Sequence, residues 1–339
     1  MAVTRSDVAR AAGVSPAVVS YVLNDGPRPV SPSARARVLE AVERLEYRPN
    51  AIASALRGGS TQTIGFLTPN RDNPFFAGLA ESLERSLGEQ GYLVLTGSSY
   101  GYRAREERLL QTFVDRKVDG LIVSSGTALT GPSLSALEPP ALVLDEVGGE
   151  AEVSTVVTED ALDAMATVHH VQRHGHVLVG CVVGPPRVRS EAHRLAGWRA
   201  QQRRNQAPAG EELVAFGELS EEGGYVATGL MFSRHGRPWA LHGSRPSALF
   251  VASDVQAIGA LSALHELGLR VPDDVALVSM GGTRAGAYTV PTLTTMRHDV
   301  DYLGRMAATE LLRRIHDRSS EPTQVRVRGN LVVGQTCGC

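Results

Sequence analysis

The sequence predicts an all-α head of helix-turn-helix pattern joined to an α/β body of two lobes with parallel sheets. Three observations predict it. Capped helical patterns crowd the amino-terminal 47 residues, and short apolar runs alternate with helical stretches from residue 63 onward. The length, 339 residues, exceeds a single domain of about 100–200 residues. Charge divides the chain at the same place. Residues 1–60 hold eight Arg against five Asp and Glu, a net +3, whereas the remainder is net −5. A polyanionic partner for the head follows from that asymmetry.

The head begins with Thr4-Arg5-Ser6-Asp7, a hydroxyl with an acid three residues on, which predicts a capped helix running to Ala12. Gly13 supplies the left-handed stop. Ser15-Pro16 is a cap followed by proline at the first helical position, so a second helix starts almost at once. Val18, Val19, Val22 and Leu23 recur at helical spacing, and a glycine turn of about 3–4 residues between two helices is the helix-turn-helix signature. Ser31-Pro32 opens a third helix, with Val38, Val42 and Leu45 as its inward stripe. Arg35, Arg37, Arg48 and Arg57 are candidate phosphate contacts.

In the body, apolar runs at 64–67, 93–95, 120–123 and 141–144 lack strict alternation and are separated by helical stretches such as 77–90 and 103–117. That is the pattern of a parallel sheet covered on both faces. A second set follows at 177–182, 212–216, 248–251 and 275–279. Ligands of such folds sit beyond the carboxyl ends of the strands.

Other chemistries find little support. The sequence has no Gly-rich phosphate loop, no Gly-x-Ser-x-Gly elbow and no metal cluster, so neither an enzyme nor a cofactor is expected. His169 and His170 are adjacent on a helix and cannot face one ion together. Cys181, Cys337 and Cys339 have no metal-site partners at useful spacing, and Cys337-Gly338-Cys339 reads as a frayed tail. Without a run of 18 apolar residues or an apolar amino terminus, a cytoplasmic protein with no membrane partner is expected.

The residues also carry a family resemblance. Ser6-Asp7-Val8-Ala9-Arg10-Ala11-Ala12-Gly13-Val14-Ser15, Val19-Ser20, Val22-Leu23-Asn24 and Tyr47-Arg48-Pro49-Asn50 resemble the lactose-repressor (LacI/GalR) family. The likeness continues through Asn73-Pro74-Phe75-Phe76, Val118-Asp119-Gly120, Arg194-Leu195-Ala196-Gly197-Trp198, residues 268–275 and Pro291-Thr292-Leu293-Thr294-Thr295. It implies a helix-turn-helix domain over 1–48 and a hinge helix with linker over 49–60. The body is then a periplasmic-binding-protein-like effector domain, with its amino-terminal lobe at 61–160 with 293–320 and its carboxyl-terminal lobe at 161–292 with 321–339.

The resemblance further implies a homodimeric transcription regulator, most often a repressor, that binds a pseudo-palindromic double-stranded DNA operator under control of a small-molecule effector. Positions matching Pro16, Ala17 and Tyr21 read bases in this family, and those matching Ser15, Val18, Ser20 and Asn24 mostly touch the backbone. Thr4, Tyr47, Asn50, Ala53 and Arg57 join the implied interface, and the residue matching Leu56 wedges into the minor groove. The implied effector pocket comprises Phe75, Phe76, Ser124, Ser125, Asp145, Arg194, Leu219 and Asp254, with Arg194 and Asp254 as a donor fork and an acceptor.

The chain departs from the family at several of these points. Tyr21 stands where an arginine is commonest, and it cannot make that residue's bidentate contact with guanine. Leu219 replaces an aromatic that stacks on a sugar ring, and Gly281-Gly282 replaces an acidic or amide pair. Arg187 and Arg189 add positive charge that would favour an acid or phosphorylated ligand. The effector is therefore expected to be a small polar molecule, a sugar or sugar derivative. The alternative is a binding protein of the periplasmic type without DNA activity.

Overall fold

A computed structural model describes residues 3–23, 28–47, 60–124, 134–144, 153–232 and 245–339. The chain forms two compact units, Met1–Thr61 and Gln62–Cys339.

The first unit contains three helices, α1 (Arg5–Ala12), α2 (Pro16–Leu23) and α3 (Pro32–Arg44). The Thr4 hydroxyl accepts from the Asp7 N–H at 3.3 Å while the Thr4 N–H donates to the Asp7 carboxylate at 3.0 Å, so the capping box is complete. Gly13 stops α1 at φ +63°. Ser15 and Ser31 accept from the N–H groups of Val18 and Ala34. Val8, Val19 and Val38, one from each helix, are fully buried together. Arg37 also serves the fold: its Nε donates to the Ala12 carbonyl at 3.0 Å, tying α3 to the end of α1.

The amino-terminal lobe of the second unit is built on strands β1 (Thr63–Thr68), β2 (Leu93–Ser98), β3 (Gly120–Val123), β4 (Ala141–Val143) and β5 (Ser154–Thr158). Its helices are α4 (Pro74–Gly88) and α5 (Arg103–Asp115). The other lobe contains α6 (Asp160–Arg173), β6 (Val179–Val183), α7 (Arg189–Arg204), β7 (Val214–Phe216), α8 (Glu221–Phe232), β8 (Ala248–Val251), α9 (Asp254–Glu266), β9 (Ala276–Gly281) and β10 (Thr294–Arg297). The chain then returns through α10 (Val300–His316) and β11 (Gln324–Val327) to the first lobe and ends with β12 (Asn330–Val332) in the second.

The two sheets have the same plan. Their orders are β2-β1-β3-β4-β5-β11, all parallel, and β7-β6-β8-β9-β10-β12, in which only β12 is antiparallel. Successive strand residues serve opposite faces. Ile64 and Phe66 of β1 meet Leu83 of α4 and Leu311 of α10, while Leu67 meets Phe113 of α5. In the second lobe Val179 and Cys181 pack on Val168 of α6 and on Trp198, whose Nε1 donates to the Val179 carbonyl at 3.2 Å. Val182 faces Ala227 of α8 and Ala260 of α9.

The lobe boundaries differ from the sequence expectation at two crossings. Residues 294–297 extend the second sheet as β10, and 324–327 extend the first as β11. Each strand is satisfied by a parallel neighbour, β9 for β10 and β5 for β11, and the crossings fall just beyond them. One buried carboxylate serves all three passages. Asp163, in the first turns of α6 after the first crossing, accepts from His298 Nε2 at 2.9 Å, from the Gly329 N–H at 2.9 Å and from Arg328 Nε at 3.3 Å.

Candidate ligand pocket and nucleic-acid interface

In the second unit a cavity of about 300 Å³ lies at the carboxyl ends of both sheets. Pro69, Tyr100, Ser124, Leu144 and Thr158 follow or end the strands of one lobe, and Pro185, Glu218, Ser253 and Gly281 those of the other. A parallel sheet aims every strand the same way, so its loops converge at this end. Of the residues expected from sequence, Phe75, Phe76, Ser124, Arg194, Leu219 and Asp254 line the cavity. Ser125 and Asp145 lie outside the described residues.

The apolar floor is set by α4. Asn73 caps that helix by accepting from the Phe75 N–H at 3.0 Å, which fixes Phe75 and Phe76 at its first turn with rings edge to face at 5.2 Å. Phe75 also stands edge to face with His298 at 6.4 Å, so the floor abuts a lobe crossing.

The polar wall centres on Arg194 of α7. Its Nε donates to Asp160 at 2.8 Å, and its Nη1 donates to Glu191 at 3.1 Å and to the Ala252 carbonyl at 2.8 Å. Nη2 makes no hydrogen bond among the described residues. Burial alone would ease the proton off Arg194, but Asp160 and Glu191 outweigh it and hold the guanidinium above its ordinary range. Burial pushes the Glu191 carboxyl up, against the pull of Arg194 and of the Gly184 N–H that it accepts at 2.8 Å.

Asp254 differs from its expected part. It is 1% exposed, and its two oxygens already accept four hydrogen bonds. Ser279 and Thr295 hydroxyls donate at 2.6 Å each, and Thr283 donates its N–H at 2.6 Å and its hydroxyl at 3.0 Å. Burial nonetheless leaves its pKa raised. Asp254 thus ties β9 and β10 to the start of α9. Gly282 has no room for a side chain: its φ is +66°, and a Cβ there would run into the Arg297 side chain and backbone. The chain must pass tightly here for Thr283 to reach Asp254.

Asp160 and Glu191 are pocket residues that sequence reasoning missed. Glu191 was legible, three residues before Arg194 on one helix face. Asp160 was not, because it meets Arg194 from 34 residues away across the first lobe crossing. The expected surplus of positive charge is absent: Arg187 reaches Glu218 at 3.4 Å, and among the described lining residues two Arg face four carboxylates.

In the first unit α2 presents Ser15, Pro16 and Ala17 to solvent, buries Val19 and Val22, and holds Val18, Ser20 and Tyr21 half-buried. No charged residue lies on this helix. Thr4 is exposed at the cap of α1, and Tyr47 packs on the head core. Asn24, Asn50, Ala53, Leu56 and Arg57 lie outside the described residues.

Known proteins share both halves of this arrangement. Residues 4–50 match the profile of bacterial regulatory proteins of the lacI family, and residues 168–337 that of a periplasmic binding protein-like domain. The HTH-type transcriptional repressor PurR of Escherichia coli O139:H28 (strain E24377A / ETEC) is 32% identical over 335 residues, 97% of this chain and 95% of that relative. The lac repressor dimer bound to operator and the anti-inducer ONPF superposes with a TM-score of 0.86 at 27% identity, covering 99% of each chain. The complex of transcriptional regulator CelR with cellobiose gives 0.72 at 25% identity, over 98% of this chain and 99% of that one. The chain therefore belongs to the lacI family of bacterial regulatory proteins and is a DNA-binding transcriptional regulator with a periplasmic-binding-protein-like effector domain.

Proposed function

We propose that this regulator is a cytoplasmic homodimeric repressor, without enzymatic activity, whose operator affinity is set by a neutral polyhydroxylated molecule, a sugar or sugar derivative, bound between its lobes. The observation that carries the ligand class is the charge balance around Arg194. With Asp160 and Glu191 beside the guanidinium, a phosphate or carboxylate would meet like charge, whereas a hydroxyl can accept from Nη2. Phe75 and Phe76 offer an apolar face for the C–H side of a sugar ring. The cavity, near 300 Å³, suits a small ligand.

On the DNA side, Ser15, Pro16, Ala17, Val18, Ser20 and Tyr21 meet the major groove, with Thr4, Asn24, Tyr47, Asn50 and Arg57 as flanking contacts. An uncharged recognition helix supplies hydroxyl and apolar contacts but no arginine fork, so specificity leans on Ala53 and Leu56, with Leu56 inserted at a central base step. The symmetry of a dimer calls for a pseudo-palindromic site.

The test is a thermal-shift panel of neutral sugars, sugar phosphates and organic acids, with hits carried into operator binding at fixed salt. A neutral sugar is expected to raise the melting temperature and to change operator affinity by roughly 5–150-fold. Stabilisation by phosphorylated or acidic compounds alone would refute the ligand class. Leu56→Ala is expected to weaken operator binding far more than binding to random DNA, and equal losses would refute the wedge.

A further inference from the structure

The Cys337-Gly338-Cys339 segment is no frayed tail. Cys337 is 2% exposed in the core of the second lobe, its Sγ facing the Gly334 carbonyl at 3.8 Å, and it is bridged to Cys339. Thr336, also buried, accepts from the Thr294 N–H at 2.8 Å and pins the segment to β10. Cys339 is thereby held at the surface with its Sγ 3.3 Å from His170 Nε2. His174, the residue that caps the carboxyl end of α6, follows His170 by four residues, and the two rings stand 5.0 Å apart. Donor atoms of His170, His174 and Cys339 all lie within 4.8 Å of one another. The sequence hid this cluster because the cysteine is 169 residues from its histidine.

We propose that His170, His174 and the Cys339 thiolate form a binding site for a zinc-class divalent ion, available when the Cys337–Cys339 bridge is reduced. Two imidazoles at i and i+4 with one thiolate are a borderline-soft donor set suited to tetrahedral zinc, in which N and S ligands lie about 3.5 Å apart. The His170–Cys339 spacing already approximates one such edge. The fourth position is open to water, since His174 and Cys339 are exposed. In the reaction a dithiol reductant supplies two electrons and two protons to the S–S bond and leaves as its own disulfide. The ion then displaces the Cys339 proton to solvent while Cys337 stays a buried thiol.

Full-length protein reduced with a phosphine, which takes up oxygen from water to become its oxide, is titrated with cobalt(II) and then zinc(II). Expected is one cobalt per chain with a thiolate-to-metal charge-transfer band that zinc abolishes, and at least roughly tenfold weaker binding by the oxidised protein. His170→Ala and His174→Ala should each weaken zinc binding by at least about tenfold, and Cys339→Ser should remove the band. His169→Ala, whose ring faces Gln201 instead, should bind as the parent does. Thermal unfolding of each reduced variant without metal verifies the fold, and zinc should raise the parent's melting temperature alone among the ligand variants and parent. Absence of the band in folded reduced protein, equal binding by the oxidised protein, or losses at His169 equal to those at His170 would overturn the proposal.

Discussion

Arg194 is held by the fold through three hydrogen bonds, and under the proposed function its remaining fork arm serves the ligand. Those bonds, from Nε and Nη1, hold Asp160, Glu191 and the turn at Ala252 and leave Nη2 for the proposed ligand. Arg194→Ala would strand two buried carboxylates, at a cost of about 3–5 kcal/mol, so a lost effector response in that variant would report unfolding as much as binding. Arg194→Lys separates the two roles. It keeps the charge between Asp160 and Glu191 but has no second fork arm, so thermal stability should fall modestly while ligand affinity drops by about 10-fold or more. Calorimetry beside thermal unfolding reads both, and an unchanged affinity would remove Nη2 from the site. Asp254→Asn should behave oppositely. An amide in place of a carboxylate that accepts four bonds turns one face into a donor against other donors, destabilising the lobe by about 1–3 kcal/mol. Its effect should appear in urea denaturation even without ligand.

At the scale of elements, what was legible in the sequence was what is local. The capping box at Thr4 and Asp7, the stop at Gly13 and the hydroxyl caps at Ser15 and Ser31 stand where their spacing put them, because each bond spans three or four residues. Thr4→Ala should therefore destabilise the head by about 1 kcal/mol, read as an earlier unfolding transition of the isolated signal of α1 to α3. The Asp7 carboxyl is held below its usual range by the Thr4 hydroxyl and N–H, so the charged carboxylate's own contribution, separate from the hydroxyl cap, is present above the unfolded carboxylate pKa of about 3.9 and lost as pH falls through the lowered folded value. The apolar runs likewise located β1, β3, β6 and β8, since a strand buried on both faces needs continuous apolar residues. The lobe allegiance of β10 and β11 was hidden because it depends on a neighbour far away in sequence. Helix contact was hidden for the same reason. A Cβ at Gly259 of α9 would meet the Glu221 carbonyl of α8 at 1.8 Å, a backbone approach that periodicity does not encode.

Across the whole effector domain, Asp163 joins the three passages between the lobes. Its carboxylate accepts from residues on the second and third crossings and itself follows the first, so relative movement of the lobes strains a single buried group. His298, its partner, is also the ring against which Phe75 of the pocket floor rests. Phe75 and the geometry of the crossings are thus one packed unit, through which a ligand resting on Phe75 would be coupled to the lobes. Burial by itself would raise the Asp163 pKa, but the hydrogen bonds from His298 and Gly329 outweigh it and leave the folded value lowered. A lowered folded pKa means the unfolded chain takes up the proton first. Asp163 therefore contributes its stability above the unfolded value near 3.9, and this is lost as pH falls through the folded value. Asp163→Asn cannot titrate. Melting temperatures of parent and variant measured from pH 7 down to 3 should differ most at pH 7 and converge below about 4. In the same variant the effector's influence on operator affinity should shrink while the intrinsic operator affinity of the head persists. A constant gap across that pH range would detach Asp163 from the acid limb, and an unchanged effector response would detach the crossings from the switch.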